Sequence, residues 1–176
     1  MRVRRQLERV EPMILNPVRR LEGEDWHRAP DNKWSIAQIV QHLAKVADLV
    51  AGQFEERAEH GKMARTCTPK QSLARHVVLG LGKPPRTRTI PRSVEPAERP
   101  DPELVTAQFR MGINRLLHLV ATWPLERQVD IFVRHASLGD LNLPEWGRFL
   151  YVHGRHQSHR IRVRLRWLRR VERKSA

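Results

Sequence analysis

Apolar residues recur at intervals of three and four along four stretches of the chain, the spacing of amphipathic helices that pack by one face. Leu7, Val10, Ile14, Val18 and Leu21 mark the first. Pro12 and Pro17 fall within it, and proline starts or kinks a helix rather than occupying its interior. The second opens at Ser35, an N-cap residue three positions before Gln38, with Trp34 and Ile39 placed as a hydrophobic staple. Its stripe is Ile36, Ile39, Val40, Leu43, Val46, Ala47 and Val50, and it runs to about Glu59, near Gly61. The third starts at Asp101-Pro102-Glu103, with the proline in the first turn, and ends at Pro124. Its core face is Leu104, Phe109, Ile113, Leu116, Leu117 and Val120, with His118 packed among the leucines. The fourth begins at Leu143-Pro144-Glu145-Trp146 and carries Phe149, Val152, His153, His156, Ile161, Leu165 and Leu168.

The connections are unequal. Residues 61–100 are irregular, with a short helix expected over 71–79 and a proline-rich loop over 83–100. A loop of that length in a compact domain is often functional. Residues 125–143 form a connector with a short strand expected at 129–133 and a turn at Leu138-Gly139-Asp140. No internal repeat is present. The pattern predicts an all-α protein: one domain over residues 1–176, a four-helix bundle with a long irregular connection between helices two and three.

Composition narrows the class. The chain has 176 residues, and 40% of them are hydrophobic, enough for a core. No apolar run approaches the roughly 20 residues of a membrane helix. The basic start Met1-Arg2-Val3-Arg4-Arg5 lacks the apolar segment of a signal peptide. The single cysteine, Cys67, excludes an intrachain disulfide and a multi-cysteine zinc site, and reads as an incidental free thiol. A soluble cytoplasmic protein is expected.

Charge adds a second picture. The net charge is +14, and the excess is local: residues 61–93 hold eight Lys/Arg and no acid, and residues 148–176 hold ten against Glu172 alone. Such runs are solvated faces or surfaces for polyanions. Arg160, Arg162, Arg164, Arg166, Arg169 and Arg170 would present such a surface, although on a helix they cannot share one face, and Val163, Trp167 and Val171 form a separate apolar line. Nucleic acid is not favoured: aromatic interleaving is thin, and no zinc-finger, RNA-recognition or phosphate-loop pattern occurs.

The histidines carry the candidate chemistry. His42 borders the apolar stripe of the second helix, and His153, His156, Gln157 and His159 crowd the fourth. His153 shares a helix face with either His156 or Gln157. One histidine from helix two and two side chains from helix four would give three ligands to a metal ion and leave positions open for water or substrate. From spacing alone, the pattern favours ordinary packed or polar histidines on a basic helix. His27, His60, His76, His118 and His135 lack such a pattern and read as surface or core.

Two segments resemble a known family. Lys33-Trp34-Ser35-Ile36-Ala37-Gln38-Ile39-Val40-Gln41-His42-Leu43 is similar to the helix-two signature of the DinB-like superfamily. Leu138-Gly139-Asp140-Leu141-Asn142-Leu143-Pro144-Glu145-Trp146-Gly147-Arg148-Phe149-Leu150-Tyr151-Val152-His153-Gly154-Arg155-His156 resembles that family's approach to helix four, of the DinB_2 type. The resemblance implies an up-down-down-up four-helix bundle with a divalent metal, zinc or nickel, at one end of the core. The usual triad is a histidine on helix two and two histidines four residues apart on helix four. The first two map to His42 and His153. The third maps to Gln157, whose carbonyl is a weaker ligand than imidazole. Gln157 as ligand, His156 in its place, and a bundle with no tight metal site all stay open.

The resemblance also implies an activity. Some relatives join a low-molecular-weight thiol to an electrophile, and others are isomerases or hydrolases. Activation of a bound thiol or water is common to them. Arg155 or Arg160 is a candidate for a substrate carboxylate. The expectation is therefore a metal-dependent transferase or hydrolase acting on a small molecule. The alternative is a metal-free bundle that binds polyanions through its last helix. A homodimer through a helix-one or helix-four face is a third option.

Overall fold

The computed structural model describes residues 2–83 and 91–175. Residues 84–90, the early part of the expected loop, lie outside the described residues. The chain forms an all-α bundle with one small hairpin. Its helices are α1 (Arg2–Glu8), α2 (Val10–Leu15), α3 (Ile36–Glu56), α4 (Pro69–Arg75), α5 (Pro102–Thr122), α6 (Leu125–Asp130) and α7 (Leu143–Ser175).

The first expected helix is two. Pro12 has no N–H to give the Glu8 carbonyl, so α1 stops at Glu8. The backbone restarts as α2 with Met13 N–H donating to the Arg9 carbonyl. Pro17 then sits in a 3₁₀ turn, Asn16–Val18. Leu7, Val10, Ile14 and Val18 keep one buried face across the break.

α3 begins as its sequence requires. Ser35 Oγ accepts from Gln38 N–H, and the Gln38 side chain accepts from Ser35 N–H. Gln38 Nε2 also donates to the carbonyls of Ala97 and Glu98. One and two turns on, Gln41 accepts from Ala97 N–H, His42 bonds the Val94 carbonyl, and Lys45 donates to the Glu95 carbonyl. Gln38, Gln41, His42 and Lys45 share one helix face, and together they lace residues 94–98 along α3.

α3 packs most closely on α5. A Cβ on Gly112 would stand 2.9 Å from Ala47 Cβ, so glycine permits this approach. α1 and α2 cover α7, where Gly147 and Gly154 meet Val3, Val10 and Met13.

Three expectations are corrected. The connector holds helix α6 and a hairpin, β1 (Phe132–His135) paired antiparallel with β2 (Gly139–Asn142), so the strand starts three residues and ends two residues later than the expected 129–133. Pro124 follows the end of α5 as expected and is the N-cap of α6, its carbonyl accepting from Gln128 N–H. Gly139 takes φ +75° at the hairpin turn, a conformation that glycine adopts without penalty. His118 and Leu104 are exposed rather than packed, because α5 buries only a narrow face through Val105, Phe109, Ile113, Leu116 and Leu119. The short helix expected over 71–79 is α4, continued by a π turn, His76–Gly80.

Asn142 and Glu145 cap the start of α7 reciprocally, each side chain accepting from the other's N–H at 3.0 Å. Trp146 Nε1 donates to the Val133 carbonyl, which fixes the hairpin against the first turn of α7. No helix among the described residues is long and apolar enough to cross a membrane.

Candidate functional site

His42 is buried, 6% exposed, on the inner face of α3. Its Nδ1 stands 2.9 Å from the Val94 carbonyl, which only accepts, so the proton sits on Nδ1 and Nε2 is left with a lone pair. That Nε2 faces Nε2 of His153 on α7 at 3.3 Å. One turn further along α7, Gln157 is 3% exposed and places its Nε2 3.3 Å from the same His153 nitrogen. Arg160 Nη1 donates to Gln157 Oε1 at 3.2 Å, which turns the amide's NH₂ toward His153.

This geometry leaves one contact unsatisfied in either tautomer of His153. A proton on His153 Nε2 suits the His42 lone pair but opposes the Gln157 NH₂. A lone pair there suits Gln157 but opposes His42. A cation held between the two imidazoles reconciles their two lone pairs, although the Gln157 NH₂ then has no acceptor on His153.

The spacing also suits a metal. Two nitrogens each about 2.0–2.1 Å from a tetrahedral ion stand roughly 3.3–3.4 Å apart. Both imidazoles are held neutral, as metal ligands must be. Burial pushes His42 down, with Arg160 and Lys45 adding to the effect against its bond to Val94. Burial, then the charges of His42, His156, His135 and Arg160, pushes His153 down to about 3.

The pair opens on a cavity of about 450 Å³. Val46, Leu49, Val50, Trp34, Trp146 and Phe149 give it apolar walls, and Arg134, His135, His156, Gln157 and Arg160 add polar groups. No acidic side chain lines it among the described residues. The rings orient the site: Phe149 stacks on His153 at 5.4 Å and 20°, and Trp34 lies 5.1 Å from His42. The Arg160 guanidinium sits over Trp34, 5.3 Å from the ring centre.

The structure brings His42, His153 and Gln157 into contact. His156 lines the same cavity from an exposed position and makes no hydrogen bond to either histidine among the described residues. No cluster of three or more His, Cys, Asp or Glu suited to a metal occurs among the described residues, and Gln157 is the side chain within 3.3 Å of the imidazole pair. Arg155 and His159 are exposed and do not line this cavity. Cys67 sits beside the hairpin, with Sγ donating to the Thr68 carbonyl, and is also outside it.

His135 escaped sequence reasoning. It ends β1, 4.5 Å from the Phe149 ring and 5.3 Å from Trp146. Ser137 N–H donates to its Nδ1 at 3.1 Å, so its proton is on Nε2. Burial pushes it down to about 4. Nothing in a four-residue strand announces which ring reaches a cavity. Trp146 and Phe149 did carry a signal: with His153 they stand at i, i+3 and i+7 on α7, one face of a helix.

No curated protein and no solved structure matches the chain. The family model described as the DinB superfamily matches residues 6–161, a span that takes in both histidines and Gln157 and runs from the last turn of α1 into the middle of α7. The chain belongs to the DinB superfamily.

Proposed function

We propose that this chain is a metal-dependent enzyme acting on a small molecule, with His42, His153 and Gln157 as its protein ligands. The observation that carries the reading is the meeting of two neutral imidazole nitrogens at 3.3 Å on the wall of a ligand-sized cavity. A divalent zinc or nickel ion held there supplies a nucleophile at neutral pH by favouring the deprotonated form of a bound thiol or water. Thiol transfer and hydrolysis are the reaction types this supports.

The chain's own residues do the rest. Val94 holds the His42 ring by its Nδ1 proton, so Nε2 is presented without a search over tautomers. Phe149 fixes the His153 ring plane. Trp34, Trp146 and Phe149 bind the apolar body of a substrate and exclude water. His135, neutral at pH 7, holds a proton on Nε2 and lines the same cavity. A hydrogen bond from that atom would orient the electrophile or deliver the proton to a leaving group.

Thermal unfolding with zinc or nickel and with chelator tests the reading. Ligand at about 100 times Kd stabilises the native state by roughly 2.7 kcal/mol. For a chain of this size that is a rise in Tm of about 5–10 °C. We expect chelation to remove the rise, and His42→Ala to abolish both effects. An unchanged Tm in the wild-type protein would contradict the proposal.

A further inference from the structure

Arg160 stands out among the cations of the cavity. It is half-buried, it has no carboxylate partner among the described residues, and the cavity it faces has no acidic side chain among them. Arg134, the other guanidinium there, is already paired with Asp140 at 3.3 Å. Arg160 instead spends Nη1 on Gln157 Oε1 and places its guanidinium carbon over the Trp34 ring. A guanidinium has five donors and suits a carboxylate bidentately, so most of its capacity is uncommitted.

That same bond decides which end of Gln157 faces the histidines. While Arg160 holds Oε1, the amide presents NH₂ to His153, and NH₂ cannot bind a metal ion. Turning the amide would bring its carbonyl to the place where Nε2 now stands, 3.3 Å from His153 Nε2. It would also set NH₂ against the guanidinium, donor to donor, for as long as Arg160 stays where it is. Gln157 can therefore serve the metal or Arg160, but not both.

We propose that the cavity takes a small carboxylate with an apolar or aromatic body, and that this carboxylate, by engaging Arg160, frees the Gln157 carbonyl to become the third donor beside His42 and His153. The inference rests on the metal reading above and adds substrate class and regulation to it. A single unpaired guanidinium matches a monoanion, and Val46, Leu49, Trp146 and Phe149 give the same cavity apolar walls for the body. Linkage makes the effect reciprocal: the carboxylate tightens the metal, and the metal tightens the carboxylate. The site would then be weak when empty of substrate and complete only when substrate is in place.

Cobalt(II), followed by its visible absorption, and benzoate serve as probes on the whole chain. In the wild-type protein, saturating benzoate should tighten cobalt binding about tenfold, within the usual range of coupling between sites. Arg160→Met should bind cobalt without benzoate at least as tightly as wild type binds it with benzoate, and should ignore benzoate. Gln157→Ala, checked for an unchanged fold by its melting curve, should lose the benzoate effect to within about twofold, a residue well below ordinary coupling.

Benzoate tightening that persists in Arg160→Met overturns the inference, because the carboxylate would then be binding the ion directly. So does a wild-type cobalt affinity indifferent to benzoate, and so does a response to phenylphosphonate in place of benzoate. No cobalt binding under any condition overturns the metal centre itself, and the coupling with it.

Discussion

His135 is a neutral imidazole packed between Phe149 and Trp146, and its burial has a consequence for stability. Its pKa falls from 6.5 to about 4 on folding. Below pH 6.5 the unfolded chain therefore binds more protons than the folded one. Its contribution is complete above pH 6.5 and is lost as pH falls toward 4, at up to about 1.4 kcal/mol per pH unit. His153, pushed down to about 3, acts in the same direction. We expect the urea midpoint to drop between pH 7.5 and pH 5, and to drop by clearly less in His135→Gln. Equal drops in the two proteins would show that this ring is not held neutral by burial. At this scale the sequence was legible where chemistry is carried by helix spacing. His42 and His153 each lie on an inward helix face, and helix spacing made both candidates without distinguishing them from ordinary packed histidines. The groups that set their behaviour carried no such signal. The Val94 carbonyl belongs to the long connection, and a backbone acceptor has no residue-type signature. The hold of Arg160 on Gln157 is an ordinary i, i+3 pair on a helix crowded with arginines, indistinguishable in sequence from its neighbours.

α3 and α5 set the position of His42, and their separation is fixed by one residue. At Gly112 a side-chain carbon would meet Ala47 Cβ at 2.9 Å and the Asp48 backbone nitrogen at 3.1 Å. Arg115, one turn further along α5, bridges to both Asp48 and Glu55 of α3 beyond the contact. The backbone atom cannot yield, so Gly112→Ala should force the pair apart at a cost of about 1–3 kcal/mol. Gly80→Ala is the control, since a Cβ there meets nothing within 4 Å. Urea unfolding of both variants decides the matter, and equal midpoints would contradict the packing account. The elements with strong local signals were legible: the Ser35–Gln38 box starts α3, and Asp101 with Pro102 starts α5. α6 and the hairpin were not. Leu125–Asp130 is six residues long, too short for a periodic stripe, and two of its apolar residues, Leu125 and Val129, are exposed. β1 and β2 are four residues each, and they gain their register from the turn at Gly139 and the anchor of Trp146 on Val133 rather than from alternation.

The whole molecule carries a net charge of +14, yet its arginines do not all face solvent. Of the six expected to form a basic surface on the last helix, Arg164 is 6% exposed and donates to the Trp34 carbonyl, and Arg160 turns into the cavity. Arg162, Arg166, Arg169 and Arg170 remain exposed. Two arginines therefore serve the Trp34 end of the cavity, one by holding its backbone and one by covering its ring. The remaining charge raises the local concentration of anions around the protein, an effect that weakens with salt. Whether His42 and His153 together hold a metal ion is decided by elemental analysis of protein purified without a histidine tag and equilibrated with zinc or nickel. About one metal ion per chain is expected in the wild-type protein and almost none in His42→Ala or His153→Ala. A folded wild-type protein that takes up no metal would contradict the proposal.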